Sequence, residues 1–595
     1  MKPRSVLAVY AFVGVALFAN ALGNPFQYDD FHSIQYNPHI RSLDQIERFV
    51  LDPHTFSSQP SGYMFRPLTS ISFAFNYALH GQEVLGYRVV NLALHILCSF
   101  VISLLIRKIG SVPLGIISGL VFLIHPLHSE PINYLSSRSD LLVSFFYISA
   151  FALLVGANNR SIILGHLVFA AGLLSKSVAI TVPLAMFAWE SSRLGVLRVA
   201  RSLGTSWNKY WTLAFLGILY VLVIWSNRYV QSSIDKMPRA IDVQLLTQTK
   251  ALVYYVWMTI VPVKLNIEHQ FLESGRHLQP AVLLSALFVG SWILFIVRLK
   301  DKWLRFGCAW FLITLLPASI VPLNILVSER RVYLSSAGLI LTATWAWYQF
   351  FRFKPTPAVF VGASICLMLS LLSIERNEVW CDEVAIWRDS VGKSPLMPRS
   401  RLNLAMAYNK KGESGEALAA LEAGLKLQQD FAEGWVLKGN LLSEQGKIQE
   451  AETAYRTALN HNSQLPGVYH NIGNLFMATG QAGEAGALFE KALKIDPHFV
   501  KARNNLGQAY EAQGNPDAAF EEYRLAVADS LYWPQPQDPE FGGAWLNIAR
   551  ILEARGELGR ARAAFGRAEV LLGRAAGYEE YALQAHAGAM RTAKQ

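Results

Sequence analysis

A period of 34 residues governs the last third of the chain. Gly412, Gly446, Gly480 and Gly514 stand 34 residues apart, and Ala417, Ala451, Ala485 and Ala519 each follow a glycine by five. A residue free to take positive φ turns the chain from one helix into the next, and a small residue lets paired helices approach closely. An eight-residue insertion at 534–541, around Pro534-Gln535-Pro536-Gln537, interrupts the pattern, which resumes at Gly556 and Ala561. A helical pair of that kind buries its apolar face only against its neighbours, so several must occur together. The expectation is a right-handed helical solenoid.

With Asn471-Ile472-Gly473-Asn474 and Asn504-Asn505-Leu506-Gly507 marking first helices, the period is the tetratricopeptide signature. Four repeats are expected over 398–533, and a fifth with a capping helix at 576–592 over 542–595. Such a solenoid is a scaffold that binds a peptide or protein on its concave side and is rarely catalytic. Asn403, Asn440, Asn471 and Asn505 suit either that surface or hydrogen bonds between helices. Residues 376–397 read as a linker and half-repeat, with Trp380, Ile386 and Trp387 sealing the solenoid onto the last span.

Residues 1–375 are of another kind. The chain has 595 residues, 52% of them hydrophobic, and the apolar ones crowd here. Crossing a bilayer takes ~20 residues. Apolar runs at 5–22, 86–106, 113–129, 132–156, 161–175, 177–192, 211–228, 281–298, 303–323, 332–350 and 356–374 give eleven candidate spans. The stretch 251–263 is shorter and reads as interfacial or re-entrant.

Eleven crossings from a cytoplasmic N-terminus place Arg107-Lys108, Arg160, Arg193 to Lys209, Arg298 to Arg305, and Arg352 with Lys354 in inside loops. The positive-inside asymmetry requires that arrangement, and a twelfth crossing would reverse the last two groups. An odd count puts the repeats on the outer side. The apolar start lacks a cleavage site and reads as a retained anchor. The formal charge of +10 sits largely in these loops, so it reports topology and gives no reason to expect nucleic acid. Cys98, Cys308, Cys366 and Cys381 have no metal-ligand spacing and define no disulfide framework.

The outer loops carry the chemistry. The first, 23–85, is too long for a connector and opens with Tyr28-Asp29-Asp30; its stretch 65–75 reads as an amphipathic helix on the membrane. Neighbouring carboxylates repel, so one of the pair is expected to hold its proton more tightly. His125, His128, Glu130, Arg138 and Asp140 follow in the second outer turn, Lys176 in the third, and Glu329, Arg330, Arg331 and Tyr333 in the last. Ionisable groups at span ends are costly unless paired or used. The conservative pairings are Glu130 with Arg138 and Glu329 with Arg330 or Arg331, with Arg66 capping a helix and the two histidines as interfacial anchors.

Taken in order, several stretches resemble the transmembrane-and-tetratricopeptide O-mannosyltransferases, a family of the GT-C class of membrane glycosyltransferases. They are Tyr28-Asp29-Asp30, Arg66-Pro67-Leu68-Thr69, Gly86-Tyr87-Arg88-Val89-Val90-Asn91-Leu92, His125-Pro126-Leu127-His128-Ser129-Glu130, Arg138-Ser139-Asp140, Glu329-Arg330-Arg331-Val332-Tyr333-Leu334 and the bridge Arg376 to Ser390. The resemblance implies an all-α fold, a polytopic GT-C-type domain followed by the extracytoplasmic solenoid. It also implies a polyprenyl-phosphate-linked sugar as donor and a hydroxyl acceptor, a protein Ser or Thr in the family. On that reading Asp29 or Asp30 is the base, and the first acid of the pair is favoured. Arg330, Arg331, Arg138 and Lys176 meet the leaving phosphate, with Arg66, His125, His128, Glu130, Asp140, Glu329 and Tyr333 around the substrates. A divalent metal on Asp29 and Asp30 is not favoured, since no third ligand is evident. With the short N-terminus, the resemblance implies a bacterial inner-membrane protein with periplasmic repeats.

Two further functions fit parts of the sequence. One is a non-enzymatic, membrane-anchored scaffold for envelope or polysaccharide assembly, which leaves the outward ionisable cluster without a purpose. The other is a transferase acting on lipid or polysaccharide, its repeats binding a partner.

Overall fold

A computed structural model describes residues 2–58, 64–155, 158–202, 207–226, 238–275, 279–351, 355–528, 539–573 and 578–594. Its described residues are helical, with no strand, and the chain divides into two compact units, Met1–Met397 and Pro398–Gln595.

Seven helices of the first unit, among the described residues, are long and apolar enough to cross a membrane: Pro3–Ala21, Val84–Ile109, Leu135–Leu154, Lys209–Ser226, Pro280–Arg298, Lys302–Ile320 and Thr356–Cys381. The bent pair Val112–Ile124 and Pro126–Asn133, broken by 57°, adds an eighth if it is one span. The count of eleven is not reproduced. The fifth expected span is the 17-residue helix Asn159–Ser175, and the sixth is a 3-10 turn followed by Val182–Leu194, both short for a crossing. The 332–350 run is the end of a longer helix, Glu329–Phe351, whose first turn is polar. The stretch 251–263 ends the helix Ile241–Ile260, while Arg352 and Lys354 lie outside the described residues.

Burial separates inner from outer helices. Leu135–Leu154 is 72% buried along its apolar window, whereas Pro280–Arg298 is 6% buried and presents apolar side chains nearly all round. A helix of that composition with no protein to cover it needs lipid, and the chain is a membrane protein. Inside, Arg138–Leu154 packs on Val84–Ile109 and Asn159–Ser175, around an aromatic cluster of Tyr147, Phe151, Trp189, Phe306 and Trp310. Lipid removes most of the hydrophobic drive between helices, so close backbone approach matters more. It occurs where Lys302–Ile320 crosses Glu329–Phe351: a Cβ on Gly338 would collide with the Gly307 carbonyl oxygen.

The first loop folds on itself through short turns, the helix Ile46–Leu51 and the helix Pro67–His80, which is where a surface helix was expected. Residues 376–397 belong to the first unit, where Trp380 packs on Tyr134 and Trp387 on Tyr28.

Among its described residues the second unit holds five helix pairs, from Pro398–Lys410 with Ser414–Leu427 to Pro539–Ala554 with Leu558–Leu572, followed by Glu579–Lys594. Residues 534–538 of the insertion lie outside the described residues. All five period glycines take positive φ, from 74° to 78°, and the five period alanines are fully buried. The asparagines join successive repeats: Asn471 donates to Asn440 Oδ1 (3.1 Å), Asn505 to Asn474 Oδ1 (2.7 Å) and Asn547 to Asn504 Oδ1 (3.1 Å). A side chain at φ 78 is strained by about 1–2 kcal/mol. Gly480→Ala should therefore lower the thermal midpoint of residues 398–595 by roughly 2–8 °C, measured by circular dichroism.

Candidate active site

The tandem aspartates face different surroundings. Asp30 is fully buried: its Oδ1 accepts from the Ser136 amide and hydroxyl (both 2.7 Å), and its Oδ2 from the Gln27 amide (3.1 Å). Burial pushes its carboxyl up to about 6, against those bonds and the charge of Arg88. The tightly held proton expected of the pair thus comes from desolvation, not from the neighbouring acid. Arg88 is buried too, and donates to the carbonyls of Asn24 (2.6 Å), Pro25 (2.6 Å) and Asn133 (3.1 Å). Asp30 and Arg88 together pin the loop.

Asp29 keeps 41% of its side chain exposed, with His32 Nε2 3.4 Å from its Oδ1. The other ring nitrogen of His32 meets Ser57 Oγ at 3.0 Å. Burial raises the Asp29 carboxyl, but His32, the nearby Tyr134 hydroxyl and the charge of Arg330 outweigh it and hold the group below the ordinary carboxylate range. The Tyr134 hydroxyl is buried and makes no well-formed hydrogen bond.

Cations gather on this side. Arg330 lies over the Tyr134 ring at 5.1 Å and is within electrostatic reach of Glu130, Asp140 and Asp29. Its backbone amide and Nη1 donate to the buried Glu130 carboxylate at 3.0 and 3.3 Å. Lys176 Nζ meets Asp140 Oδ1 at 2.6 Å and feels both Arg66 and Arg330. Burial pushes that ammonium down to about 8 against the pull of Asp140. Arg66 donates to Ser139 Oγ at 3.1 Å and lies over Phe56. Asp29, Arg330, Glu130, Asp140, Lys176 and Arg66 therefore form one electrostatic neighbourhood.

The remaining expected site residues are bound up in structure. Arg138 is fully buried and donates to Asn91 Oδ1 (2.7 Å), the Tyr87 carbonyl (3.0 Å) and Ser72, so it pairs with no acid and is spent on packing the Pro67–His80 helix. Glu130 pairs with Arg330 instead. Arg331 donates to the carbonyls of Ile325 (2.6 Å) and Leu326 (3.0 Å). Glu329 pairs with neither following arginine: Arg376 reaches it at 3.4 Å, and it accepts from the Asn266 amide. His125 and His128 are buried, bonded to the carbonyls of Thr259 (3.0 Å) and Phe122 (2.7 Å), and are not exposed anchors. Tyr333 meets His95 Nδ1 at 2.8 Å. Sequence reasoning did not single out His32, Ser57, Tyr134 or Ser136; the i, i+3 spacing of Asp29 and His32 was the available signal. Among the described residues no group of three or more His, Cys, Asp or Glu stands together in a form that could hold a metal ion.

Fold and site define a class: a helical membrane protein with a polar cluster beside its first long loop and tetratricopeptide repeats at its C-terminal end. Models of the TPR repeat match residues 439–480 and 473–514, and further tetratricopeptide-repeat models match 398–431 and 500–530. Over the longer chain the similar proteins are protein O-mannosyl-transferases. F38B6.6 of Caenorhabditis elegans is 23% identical over 71% of this chain and 63% of its own length. TMTC3 of Homo sapiens is 24% identical over 76% of this chain and 55% of its own. Tmtc1 of Drosophila melanogaster reaches 30% over 30% of this chain and 22% of its own. This chain thus spans a little over half the length of the relatives it matches most extensively. Among solved structures, YrrB, described as a TPR protein with an unusual peptide-binding site, is 17% identical, with a TM-score of 0.27, over 35% of this chain and 98% of its own. A likeness that weak carries no functional argument.

Proposed function

We propose that the chain is an integral-membrane glycosyltransferase of the GT-C type. It transfers a mannose-like sugar from a polyprenyl phosphate to a hydroxyl of a protein on the extracytoplasmic face, and its repeats engage the acceptor or a partner. The N-terminus is cytoplasmic, and in a bacterium the membrane is the inner one. The observation that carries this reading is a half-exposed carboxylate, Asp29, beside a partly buried set of cations with Arg330 at its centre.

Sugar transfer needs those two elements. Asp29 takes the proton of the acceptor hydroxyl as its oxygen bonds to the anomeric carbon. The bond from that carbon to the phosphate oxygen breaks, and the lipid phosphate departs with a charge that Arg330, Lys176 and Arg66 stabilise. Glu130 and Asp140 fix the cations before substrate arrives. The activity for which the relatives are named, O-mannosyl transfer to protein, supports the sugar and the protein acceptor.

The test is transfer of radiolabelled mannose from a polyprenyl-phosphate donor to acceptor peptides by the full chain in proteoliposomes. Removing one donor to a developing charge costs about 10²–10³-fold in rate, so Arg330→Gln and Lys176→Gln should each lose that much. A protein that binds acceptor but transfers no hexose from any polyprenyl phosphate would overturn the reading in favour of the scaffold.

A further inference from the structure

Among the described residues, one non-glycine residue has positive φ, and it immediately precedes the carboxylate read above as the base. Tyr28 has φ 54. For a residue with a Cβ that conformation is sparsely populated and persists only when its surroundings over-determine it. Here they do, and the determinants come from more than 350 residues later in sequence. Gln27 Nε2 donates to the Trp380 carbonyl at 3.2 Å, and the Tyr28 amide donates to Glu383 Oε1 at 3.3 Å. The Tyr28 ring packs on Trp387 with centroids 5.5 Å apart. Asp382 caps the Glu383–Lys393 helix by accepting from the Ala385 amide at 2.7 Å, which fixes where Glu383 stands.

We infer that Glu383 is a positioning residue: its carboxylate, with Trp387, holds Tyr28 at positive φ and so sets the direction in which Asp29 presents its carboxyl. Returning Tyr28 to an ordinary negative φ would rotate the following peptide and carry Asp29 away from His32 and Arg330. The inference rests on Asp29 as base and gives the segment between the last apolar helix and the repeats a task other than linkage.

The full chain in detergent or proteoliposomes tests this with Glu383→Ala and Glu383→Gln. The glutamine keeps an acceptor oxygen for the Tyr28 amide, so its kcat should stay within about twofold of the parent, as expected when one acceptor replaces another. The alanine should lose about 10- to 100-fold in kcat with donor KM within about twofold, because a misaimed base costs rate and leaves binding intact. Amide hydrogen exchange over residues 24–36 gives a readout that needs no activity: about tenfold faster in Glu383→Ala, unchanged in Glu383→Gln. Should the alanine variant not fold, Glu383→Asp, whose carboxylate is a methylene shorter, carries the same expectations as the alanine. Parental kcat and parental exchange in the alanine variant would overturn the inference. Full transfer by Asp29→Asn would instead overturn the assignment of the base, and the exchange result would still decide whether Glu383 holds Tyr28.

Discussion

Asp29→Asn should fold like the parent and lose transfer by about 10²–10⁴-fold, the range that a positioned general base contributes. The stability half of this expectation follows from exposure. A carboxylate with 41% of its side chain in solvent and a histidine 3.4 Å away makes the kind of exposed contact that contributes little. The rate half follows from its held-down carboxyl, which is ionised at neutral pH with His32, Tyr134 and Arg330 around it. The sign of the pH dependence is fixed by the same shift. A lowered carboxyl stays ionised as pH falls, so the acidic limb of kcat/KM should appear only below the ordinary carboxylate range, and Asp29→Asn should remove it.

Asp30→Asn should behave in the opposite way. An amide has one acceptor oxygen, and its NH2 would face the Gln27 N–H or the Ser136 donors, leaving a buried bond unmade at about 1–3 kcal/mol. At about pH 4, where the parent's contribution is still present, the midpoint should drop, while folded molecules keep their turnover. The parent has a further signature. A carboxyl raised in the folded state to about 6 binds its proton more tightly than in the unfolded chain, so its contribution is complete below the unfolded value of about 4 and is lost as pH rises to about 6. A displacement that large is worth about 3 kcal/mol. Thermal unfolding between pH 4 and 7 should show that slope in the parent and not in Asp30→Asn.

How far the sequence announced these roles depends on whether a role is local. The 34-residue period was legible because each glycine answers a local demand, a turn at φ near 76, and each alanine a contact with the next helix. The polar residues of the outer loops were legible as a set, because ionisable groups at span ends stand out in any apolar chain. Their division of labour was not. Arg138, Arg330 and Arg331 read alike in sequence, yet one packs a helix, one pairs with Glu130 beside Asp29, and one caps the carbonyls of a loop. Nearness in sequence pairs Glu329 with its arginine neighbours, while the partner that reaches it is Arg376, 47 residues away. Apolar run length gives eleven spans, and the polar first turn of Glu329–Phe351 and the break at His125 show how a helix and an apolar run part company. Tyr28 is invisible in sequence as a strained residue, because the contacts described at it reach across more than 350 residues.

Arg88→Met should be among the most damaging single changes in the first unit, costing about 3–5 kcal/mol, the range for breaking a buried charge arrangement by removing one partner. Arg88 rises from the Val84–Ile109 helix, and its three donors each end on a carbonyl, those of Asn24, Pro25 and Asn133. Methionine fills the volume and satisfies none of them, and it also removes the cation that offsets Asp30. Arg88→Lys should be intermediate, since an ammonium keeps the charge but cannot span three carbonyls set out for a planar fork. If charge compensation is part of the role, the double variant Arg88→Met with Asp30→Asn should lose less than the sum of its parts, by about 1 kcal/mol or more, as contacting residues do. Unfolding of the detergent-extracted chain measures all four states. Strict additivity would confine Arg88 to its carbonyls, and a parental midpoint for Arg88→Met would mean that the Asn24–Asp30 loop, and Asp29 with it, is held by something else.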